Sequence, residues 1–464
     1  MATLQFLGAT GTVTGAKFVL EVSGSRAMID SGLFQGLKEL RERNWEPIPV
    51  NPASIGWALI THAHVDHTGY LPRLVRDGFT GPIYATSATA DLMKIMLPDS
   101  GRLQEEDAEY ANKKGFSKHK TVLPLYTEQD AKFALKQIRA VNYHQEIRLS
   151  KFLTARFIPA GHILGSSFVE ADITEPGSRP IKVVFSGDVG RYDEPILNDP
   201  EPVEEADYLL VESTYGNRLH DSEDPKQQLA EIINRTVELG GKIIIPAFAV
   251  GRAQLLVYYL RELEDERRIP VLPVAVDSPM AAAATRVYVR HKEDHDFDMQ
   301  ELARKNRNAL ATRNFRLVSG RNGSKAINAE SGPGIIISPA GMATGGRVLH
   351  HLARYLPDPA SSVVLVGYQA AGTRGRRLQD GEDEIKIHGQ AIPVRAHVAT
   401  IGGLSAHADS GEILRWLSGF KRPPRTTFLI HGEPDSAEGL RDRIIKELGW
   451  NAVIPTYKEV VELS

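Results

Sequence analysis

The segment "LITHAHVDHTGYLPRL", residues 59–74, places His62, His64, Asp66 and His67 within six positions. Neutral imidazole nitrogens and carboxylates are ligands that zinc accepts. Crowding them without a metal would leave desolvated polar groups uncompensated. In an extended segment residues two apart point the same way, so His62 and His64 face one point. Asp66 and His67 follow where a helix is expected to begin, and they can turn back towards that point. Four ligands from one turn suit two adjacent ions. Later strand ends offer His162 in "FIPAGHILGSS", Asp188 in "VVFSGDVG" and His431 in "FLIHGE". One such residue alone would more often be a hydrogen-bonded turn residue. Three in the same context, beside the cluster, read as ligands. There is no cysteine, so thiolate ligands, disulfides and a cysteine nucleophile are excluded. Paired ions lower the pKa of water and clamp a substrate oxygen, so hydrolysis needs no side-chain nucleophile.

Short strands and helices must hold these residues. "TLQFLGA", "AKFVLEV", "SRAMIDS" and "IGWALIT" read as strands, the last running into the histidine cluster. "HTGYLPRLVRDG" reads as one helix stopped by Gly78, and "SATADLMKIMLPDS" as a helix capped by Ser87. Residues 101–120 are charged and are expected to form a surface helix or loop. "KFLTARFIPAG", "SSFVEADI", "IKVVFSGD" and "ADYLLVEST" return to strand character. From about residue 217 the pattern lengthens. "KIIIPA", "VLPVAVDS", "GIIISPAG" and "SSVVLVGY" are continuous apolar runs, the mark of a parallel sheet buried on both faces. "TTFLIHGE" then resumes the earlier character. The simplest organisation is a first domain over 1–216, an inserted α/β domain over 217–404, and a return to the first domain over 405–464.

With 42% apolar and 24% charged residues the composition is that of a globular chain. A net charge of −3, from 55 Lys+Arg against 58 Asp+Glu, argues against coating nucleic acid by bulk charge, though not against a local basic groove. The opening "MATLQFLGATGTVTG" lacks a basic segment followed by an apolar one, so no signal peptide is expected. No apolar run reaches membrane-spanning length. A cysteine-free chain fits a reducing compartment, and a cytoplasmic location is expected.

"HAHVDH", with Asp30, His162, Asp188 and His431, resembles the metallo-β-lactamase superfamily, and within it the β-CASP nucleases of RNA processing. The resemblance runs over nearly the full length. It implies a four-layer αββα sandwich with an inserted α/β β-CASP cap domain. It also implies two zinc ions, with manganese as the alternative that these ligands accept. His62, His64 and His162 would hold one ion, Asp66, His67 and His431 the other, and Asp188 would bridge them. Asp30, in "AMIDSG", would orient the site from behind the ligands. By residue type alone it reads equally well as a turn aspartate before Gly32. His407 in "GGLSAHADSGE" matches the motif B histidine and is the general-acid candidate. Glu212 in "LLVESTYG" matches motif A, and a carboxylate beside an imidazole raises its pKa and fixes its orientation. Without the resemblance both read as ordinary surface and turn residues. His397 in "VRAHVAT" is the rival acid, although its strand context reads as packing. RNA-acting members of the group have histidine at the position of His431, which favours RNA over DNA.

Glycine- and arginine-rich turns in the insert could hold a sugar–phosphate backbone. "SPAGMATGGR" follows a strand and would offer backbone N–H groups from Ser338 onward at a helix start. "GYQAAGTRGRRL" gathers Arg374, Arg376 and Arg377, and "PAFAVGRAQ" adds Arg252. Two stretches are decoys. "GATGTVTG" departs from the dinucleotide pattern G-x-G-x-x-G and precedes a strand. "HKEDHD", residues 291–296, lacks the glutamate of a zincin and is expected to be an exposed helical face. The expected activity is hydrolysis of single-stranded RNA, preferably endonucleolytic. The rivals are a 5′-to-3′ exoribonuclease, an ester or lactone hydrolase on the same fold, and a catalytically silent RNA-binding subunit. A homo-oligomer is compatible with the sequence.

Overall fold

The computed structural model describes residues 2–114, 121–221, 223–305, 307–367, 369 and 372–464. The chain divides into two units, Met1–Leu219 with His407–Ser464, and His220–Ala406. Sequence patterning places these divisions at 216/217 and 404/405.

In the first unit, β1 (Ala2–Phe6), β2 (Phe18–Val22), β3 (Ser25–Ile29), β4 (Ile55–Leu59), β5 (Ile83–Thr86) and β6 (Ile138–Val141) lie side by side in chain order. β7 (Ile147–Arg148), β8 (Leu153–Pro159), β9 (Ser167–Ile173), β10 (Ile181–Phe185) and β11 (Tyr208–Glu212) begin a second sheet. The segment after residue 406 completes both. Thr426–Ile430 pairs parallel with β11, and Val460–Leu463 pairs antiparallel with β1. Ala452–Val453 pairs parallel with Thr426–Ile430 at the edge of the second sheet, so each sheet has seven strands. Between the sheets Leu4, Phe6 and Phe18 meet Phe157, Phe185 and Phe428, with the Phe6 and Phe428 ring centroids 5.1 Å apart. On the far face of the second sheet, Phe168, Val184 and Leu209 pack against Trp416, Leu417 and Leu440 of the helices Ser410–Leu417 and Pro434–Arg443. The helix Ser87–Lys114 packs on β5 and β6. The layers are therefore helix, sheet, sheet, helix. β1 alternates buried and half-buried residues, whereas every residue of β11 is buried because both its faces are covered.

The second unit is built on a six-stranded sheet. It contains β12 (Lys242–Pro246), β13 (Val274–Asp277), β14 (Phe315–Val318), β15 (Gly334–Ser338) and β16 (Ser362–Val366). The hairpin β17 (Glu384–Ile387) and β18 (Gln390–Pro393) stands apart, and β19 (His397–Ile401) closes the sheet edge beside β16. All pairings in the six-stranded sheet are parallel. β12, β13, β15 and β16 are buried at every residue, the physical origin of their uninterrupted apolar runs.

Several local expectations are corrected. The single helix expected over "HTGYLPRLVRDG" is two, Val65–Thr68 and Leu71–Arg76. Between them the Tyr70 N–H leaves the helical pattern to donate to Ser31 O at 2.7 Å, and Pro72 opens a fresh first turn. The helix from Ser87 continues through Pro98 to Lys114 instead of stopping near residue 100; residues 115–120 of the charged stretch lie outside the described residues. Its cap is Thr86, whose hydroxyl accepts the Thr89 N–H at 3.3 Å, not Ser87. "HKEDHD" is not an exposed face: His291, Asp294 and His295 are buried, and His295 Nε2 lies 2.9 Å from Tyr288 O.

Candidate metal centre and its neighbours

All seven expected ligands lie just beyond the ends of first-unit strands. β4 leads through Ile60 and Thr61 to His62 and His64, and the helix Val65–Thr68 carries Asp66 and His67. His162 follows β8, Asp188 follows β10, and His431 follows Thr426–Ile430. Asp30 and His431 sit in the left-handed region, at φ 55° and 51°. That conformation costs a non-glycine residue on the order of 1–2 kcal/mol. Specific bonds hold each there: the His431 N–H donates to Ala9 O at 2.7 Å, and the Asp30 N–H donates to Leu59 O at 2.9 Å.

The side chains form two groups. His62, His64, His162 and Asp188 offer ligand atoms all within 4.8 Å of one another, and so do Asp66, His67 and His431. Asp188 links them. Its Oδ2 lies 3.3 Å from His62 Nε2 and 3.4 Å from His162 Nε2. Its Oδ1 lies 3.2 Å from His67 Nε2 and 3.5 Å from His431 Nδ1. His67 Nε2 and His431 Nε2 face each other at 3.1 Å, with Asp66 Oδ2 3.5 Å from His431 Nε2.

Burial dominates the titration of the first group. It pushes His62 down to about 3 and His64 to about 4, and holds His162 well below its ordinary value. These rings are neutral, the form in which imidazole binds metal. Burial also opposes ionisation of Asp66 and Asp188. The hydrogen bond from His431 for Asp66, and the positive field of His431 and His67 for Asp188, overcome it and hold both carboxylates ionised. Asp188 Oδ1 is buried yet accepts no hydrogen bond. An orphaned carboxylate oxygen aimed between two imidazoles, beside a second ionised carboxylate, fits a divalent cation better than an apoprotein core. The donor set, histidine nitrogen and carboxylate oxygen without sulfur, suits zinc.

A surrounding set of residues orients these groups. Asp30 accepts the Thr61 N–H and Thr61 hydroxyl, each at 2.8 Å, and lies 2.7 Å from His67 Nδ1. With Nδ1–H given to Asp30, His67 presents Nε2 to the cluster. Burial works against protonation of His67, but Asp188 and Asp30 raise it well above its usual value. Thr214 Oγ1 lies 3.2 Å from His431 Nδ1 and donates to His431 O at 3.1 Å. Sequence reasoning missed Thr61 and Thr214. Their positions beside His62 and Glu212 are the signal that could have found them.

Glu212, the last residue of β11, is fully buried. Its Oε1 accepts the Val189 N–H at 2.7 Å, and His407 Nδ1 lies 3.1 and 3.2 Å from its two oxygens. An isolated bridge from Gly190 to His407 holds the histidine beside the Asp188 turn, 3.8 Å from Asp188 Oδ2. Burial lowers the His407 pKa, but Glu212, then Asp188, lift it to about 9. His407 is therefore a cation at neutral pH in a field of carboxylates.

Residues 15–125 match the metallo-β-lactamase superfamily, 253–378 the Beta-Casp domain, and 391–455 the Zn-dependent metallo-hydrolase RNA specificity domain. The protein named Ribonuclease TTHA0252 from Thermus thermophilus is 36% identical over 92% of this chain and 92% of its own. The chain belongs to the β-CASP RNA-processing nucleases of the metallo-β-lactamase superfamily. This β-CASP protein is also 30% identical to an RNase J-like protein of Methanocaldococcus jannaschii, over 93% of both chains. It is 28% identical to that organism's Transcription termination factor FttA, over 99% of this chain and 72% of that one. A crystal structure of a protein of unknown function from Enterococcus faecalis V583 shares the fold, with a TM-score of 0.58 at 13% identity over 100% of both chains.

The substrate residues expected in the β-CASP unit are placed differently from the ligands. Ser338 is fully buried and donates to Asp277 O at 3.1 Å, so it offers no hydroxyl to a ligand; the loop 339–347 separates it from the helix Val348–Tyr355. Arg374, Arg376 and Arg377 lie on the helix Arg374–Gln379. Arg374 is spent on Lys386 O at 2.8 Å, Arg376 on Asp380 at 2.8 Å and Arg377 on Glu382 at 2.8 Å. Arg374 and Arg377 nevertheless line a depression of about 340 Å³ with Thr344, Thr373 and Lys386. Tyr368, Ala370 and Ala371 of the same glycine-rich stretch lie outside the described residues. Arg252 opens the helix Arg252–Asp265 behind Gly251. His397 starts β19 in the β-CASP unit, not in the unit that holds Glu212.

Proposed function

We propose that the protein cleaves single-stranded RNA endonucleolytically, using two zinc ions held at the first-unit strand ends. His62, His64 and His162 hold one ion, Asp66, His67 and His431 the other, and Asp188 serves both. Manganese is the alternative occupant. Bound there, the ions supply Lewis acidity at the phosphoryl oxygens and water acidic enough to attack at neutral pH. Asp30 fixes the ring of His67 through Nδ1. Glu212 keeps His407 protonated and oriented, and His407 delivers a proton from Nε2 to the departing ribose oxygen. Such proton delivery contributes roughly 10²–10⁴-fold to a rate.

The observation that carries this reading is the position of Asp188. One buried carboxylate touches both ligand groups and lies 3.8 Å from the imidazole of a Glu–His pair. A ligand cluster alone would support metal storage or a structural site. A charged imidazole poised beside it supports hydrolysis with a poor leaving group. RNA is supported by the relatives named as ribonucleases and by the histidine at position 431. Among the described residues no helix is long and apolar enough to cross a membrane; a cytoplasmic site of action is part of the proposal.

The test is cleavage of end-labelled RNA and matched single-stranded DNA by zinc-loaded protein, alongside Asp66→Ala and His407→Ala. Internal RNA fragments, lost in both variants with DNA spared, are the expected result. Release of mononucleotides alone would make the enzyme an exonuclease. Metal-dependent turnover of a chromogenic ester or lactone without RNA cleavage would overturn the nuclease reading.

A further inference from the structure

Lys17 is a buried ionisable group of the first unit that this mechanism leaves without a task. Its side chain is only 3% exposed. Its ammonium donates to Gly32 O, and to Gly15 O at 3.3 Å. It also lies 4.4 Å from the centroid of the Phe34 ring and 4.9 Å from that of Tyr70. These neighbours are carbonyl dipoles and aromatic faces, and none is a carboxylate. Burial accordingly pushes the Lys17 pKa down to about 7. A buried ammonium without a counter-charge is costly, and an apolar side chain of similar size would fit between two aromatic rings. A charge at this position calls for a reason other than packing.

The two loops that Lys17 joins supply that reason. One is the glycine-rich turn "GATGTVTG" between β1 and β2, which has no dinucleotide to bind. The other is the turn after β3, residues 30–34. The first turn holds two members of the second ligand group by their main chains: Ala16 N–H donates to Asp66 O at 2.9 Å, and Ala9 O accepts the His431 N–H at 2.7 Å. The second turn holds the third member, since Ser31 N–H donates to His67 O at 2.7 Å. The turns are laced together by Gly32 N–H on Ala16 O at 2.9 Å. A Cβ at Gly32 would fall 1.5 Å from Asp66 O, and one at Gly15 would fall 2.5 Å from the Phe34 ring. Glycine at 32 lets the second turn press on the Asp66 peptide, and glycine at 15 lets the first turn press on the Phe34 ring. Among the described residues, no backbone bond of either turn reaches His62, His64 or His162; the 30–34 turn meets the first group indirectly, through Asp30 on Thr61, whose hydroxyl lies 3.1 Å from His62 Nδ1. His162 is held separately, by its N–H on Ser166 Oγ at 2.9 Å.

We propose that Lys17 is a positioning residue for one ion only: it clamps the 8–16 and 30–34 turns so that Asp66, His67 and His431 converge. The inference rests on the two-ion reading above. It predicts that removing the ammonium separates the two ions in affinity, whereas a general loss of packing would weaken both.

The test is zinc binding to metal-free protein by competition with a chromogenic chelator, with bound zinc counted by elemental analysis. Wild type, Lys17→Met, Asp66→Ala and the double variant are compared. Partners behind a ligand commonly cost about 10–100-fold in metal affinity when removed. Lys17→Met is expected to keep one ion at wild-type affinity and to bind the other about 10–100-fold more weakly. It should cause no further loss in the Asp66→Ala background, because the position it serves is already gone. Thermal unfolding of the metal-free proteins establishes that each variant folds. If Lys17→Met does not fold, Lys17→Gln, which keeps an N–H donor on a shorter stem, is expected to bind the second ion with an intermediate affinity. Two ions at wild-type affinity in the variant, or equal weakening of both, would overturn the role of Lys17. A wild type that binds fewer than two ions would overturn the two-ion reading itself, and the inference with it.

Discussion

Each unit of this protein gathers buried polar side chains at the ends of its strands, but the two clusters are not alike. In the β-CASP unit, Asp277 ends β13 with both oxygens occupied. Oδ1 accepts Arg347 at 2.7 Å, and Oδ2 accepts the Ser324 hydroxyl at 2.5 Å and lies 2.8 Å from His351 Nε2. Burial disfavours its charge, and the bonds from His351, Ser324 and Arg347 restore it. In the metallo-β-lactamase unit, Asp188 is just as buried but leaves Oδ1 without a hydrogen bond. The saturated cluster needs nothing more and works as a structural joint. The unsaturated one is complete only with a ligand. Satisfaction of its lone pairs, more than burial or residue type, separates a buried aspartate that holds the fold from one that holds a metal.

The largest expected effect sharpens this contrast directly. Asp188→Ala should abolish metal-dependent RNA cleavage and strip bound zinc, and the metal-free protein should also lose stability because His67 and His407 lose a buried counter-charge. Asp277→Ala should lose stability alone. Leaving the buried His351 Nε2 without its carboxylate partner costs about 1–3 kcal/mol of stability, with zinc content at the first unit unchanged. Denaturant midpoints and elemental analysis of both variants would break the comparison if Asp277→Ala lost its zinc or Asp188→Ala kept it.

A smaller effect concerns the Glu212–His407 pair. Glu212→Gln removes the charge that lifts the His407 pKa, so the proton on His407 is lost at lower pH. The alkaline limb of the kcat/KM profile should move to lower pH, with zinc content unchanged. An unmoved limb would assign that limb to a group other than His407.

The smallest effect is thermodynamic. An unfolded lysine titrates near 10.4, and Lys17 in the folded metal-free protein near 7. Between those values the unfolded chain binds the additional proton, so stability rises with pH from about 7 to about 10 and gains nothing from this group below 7. Urea midpoints at pH 7 and pH 9 should show that rise in wild type and a smaller one in Lys17→Met.

Much of this arrangement is legible from residue types because metal binding is demanding. Few sequences crowd three histidines and an aspartate into six positions, and the structure brings exactly that turn together with the three later strand ends. The inserted unit is legible because strands covered on both faces must be apolar at every position, as β12 and β16 are. What stays hidden depends on tertiary neighbours. Thr61 and Thr214 are hydroxyl residues of a type common in turns, and only their hydrogen bonds to Asp30 and His431 give them a role. Ser338 and the histidines of "HKEDHD" look accessible in the sequence because polar residues usually are, yet each is buried with a partner on the backbone or a neighbouring side chain. The arginines after β16 look like a cationic patch in sequence, but Asp380, Glu382 and a hairpin carbonyl take up their guanidinium groups.

The segment after residue 406 contributes one strand to the first sheet of its unit and two to the second, and carries His407 and His431. During synthesis, the chain presents the "HAHVDH" turn, His162 and Asp188 long before either of these histidines exists. More than two hundred residues of the β-CASP unit and its flanks separate Asp188 from His431. An unfinished polypeptide therefore lacks His431 and His407 together, the proposed second-group ligand and the proposed proton donor. On the proposed assignment, a ribosome making this nuclease would hold an enzyme that cannot yet cut the message it is being read from.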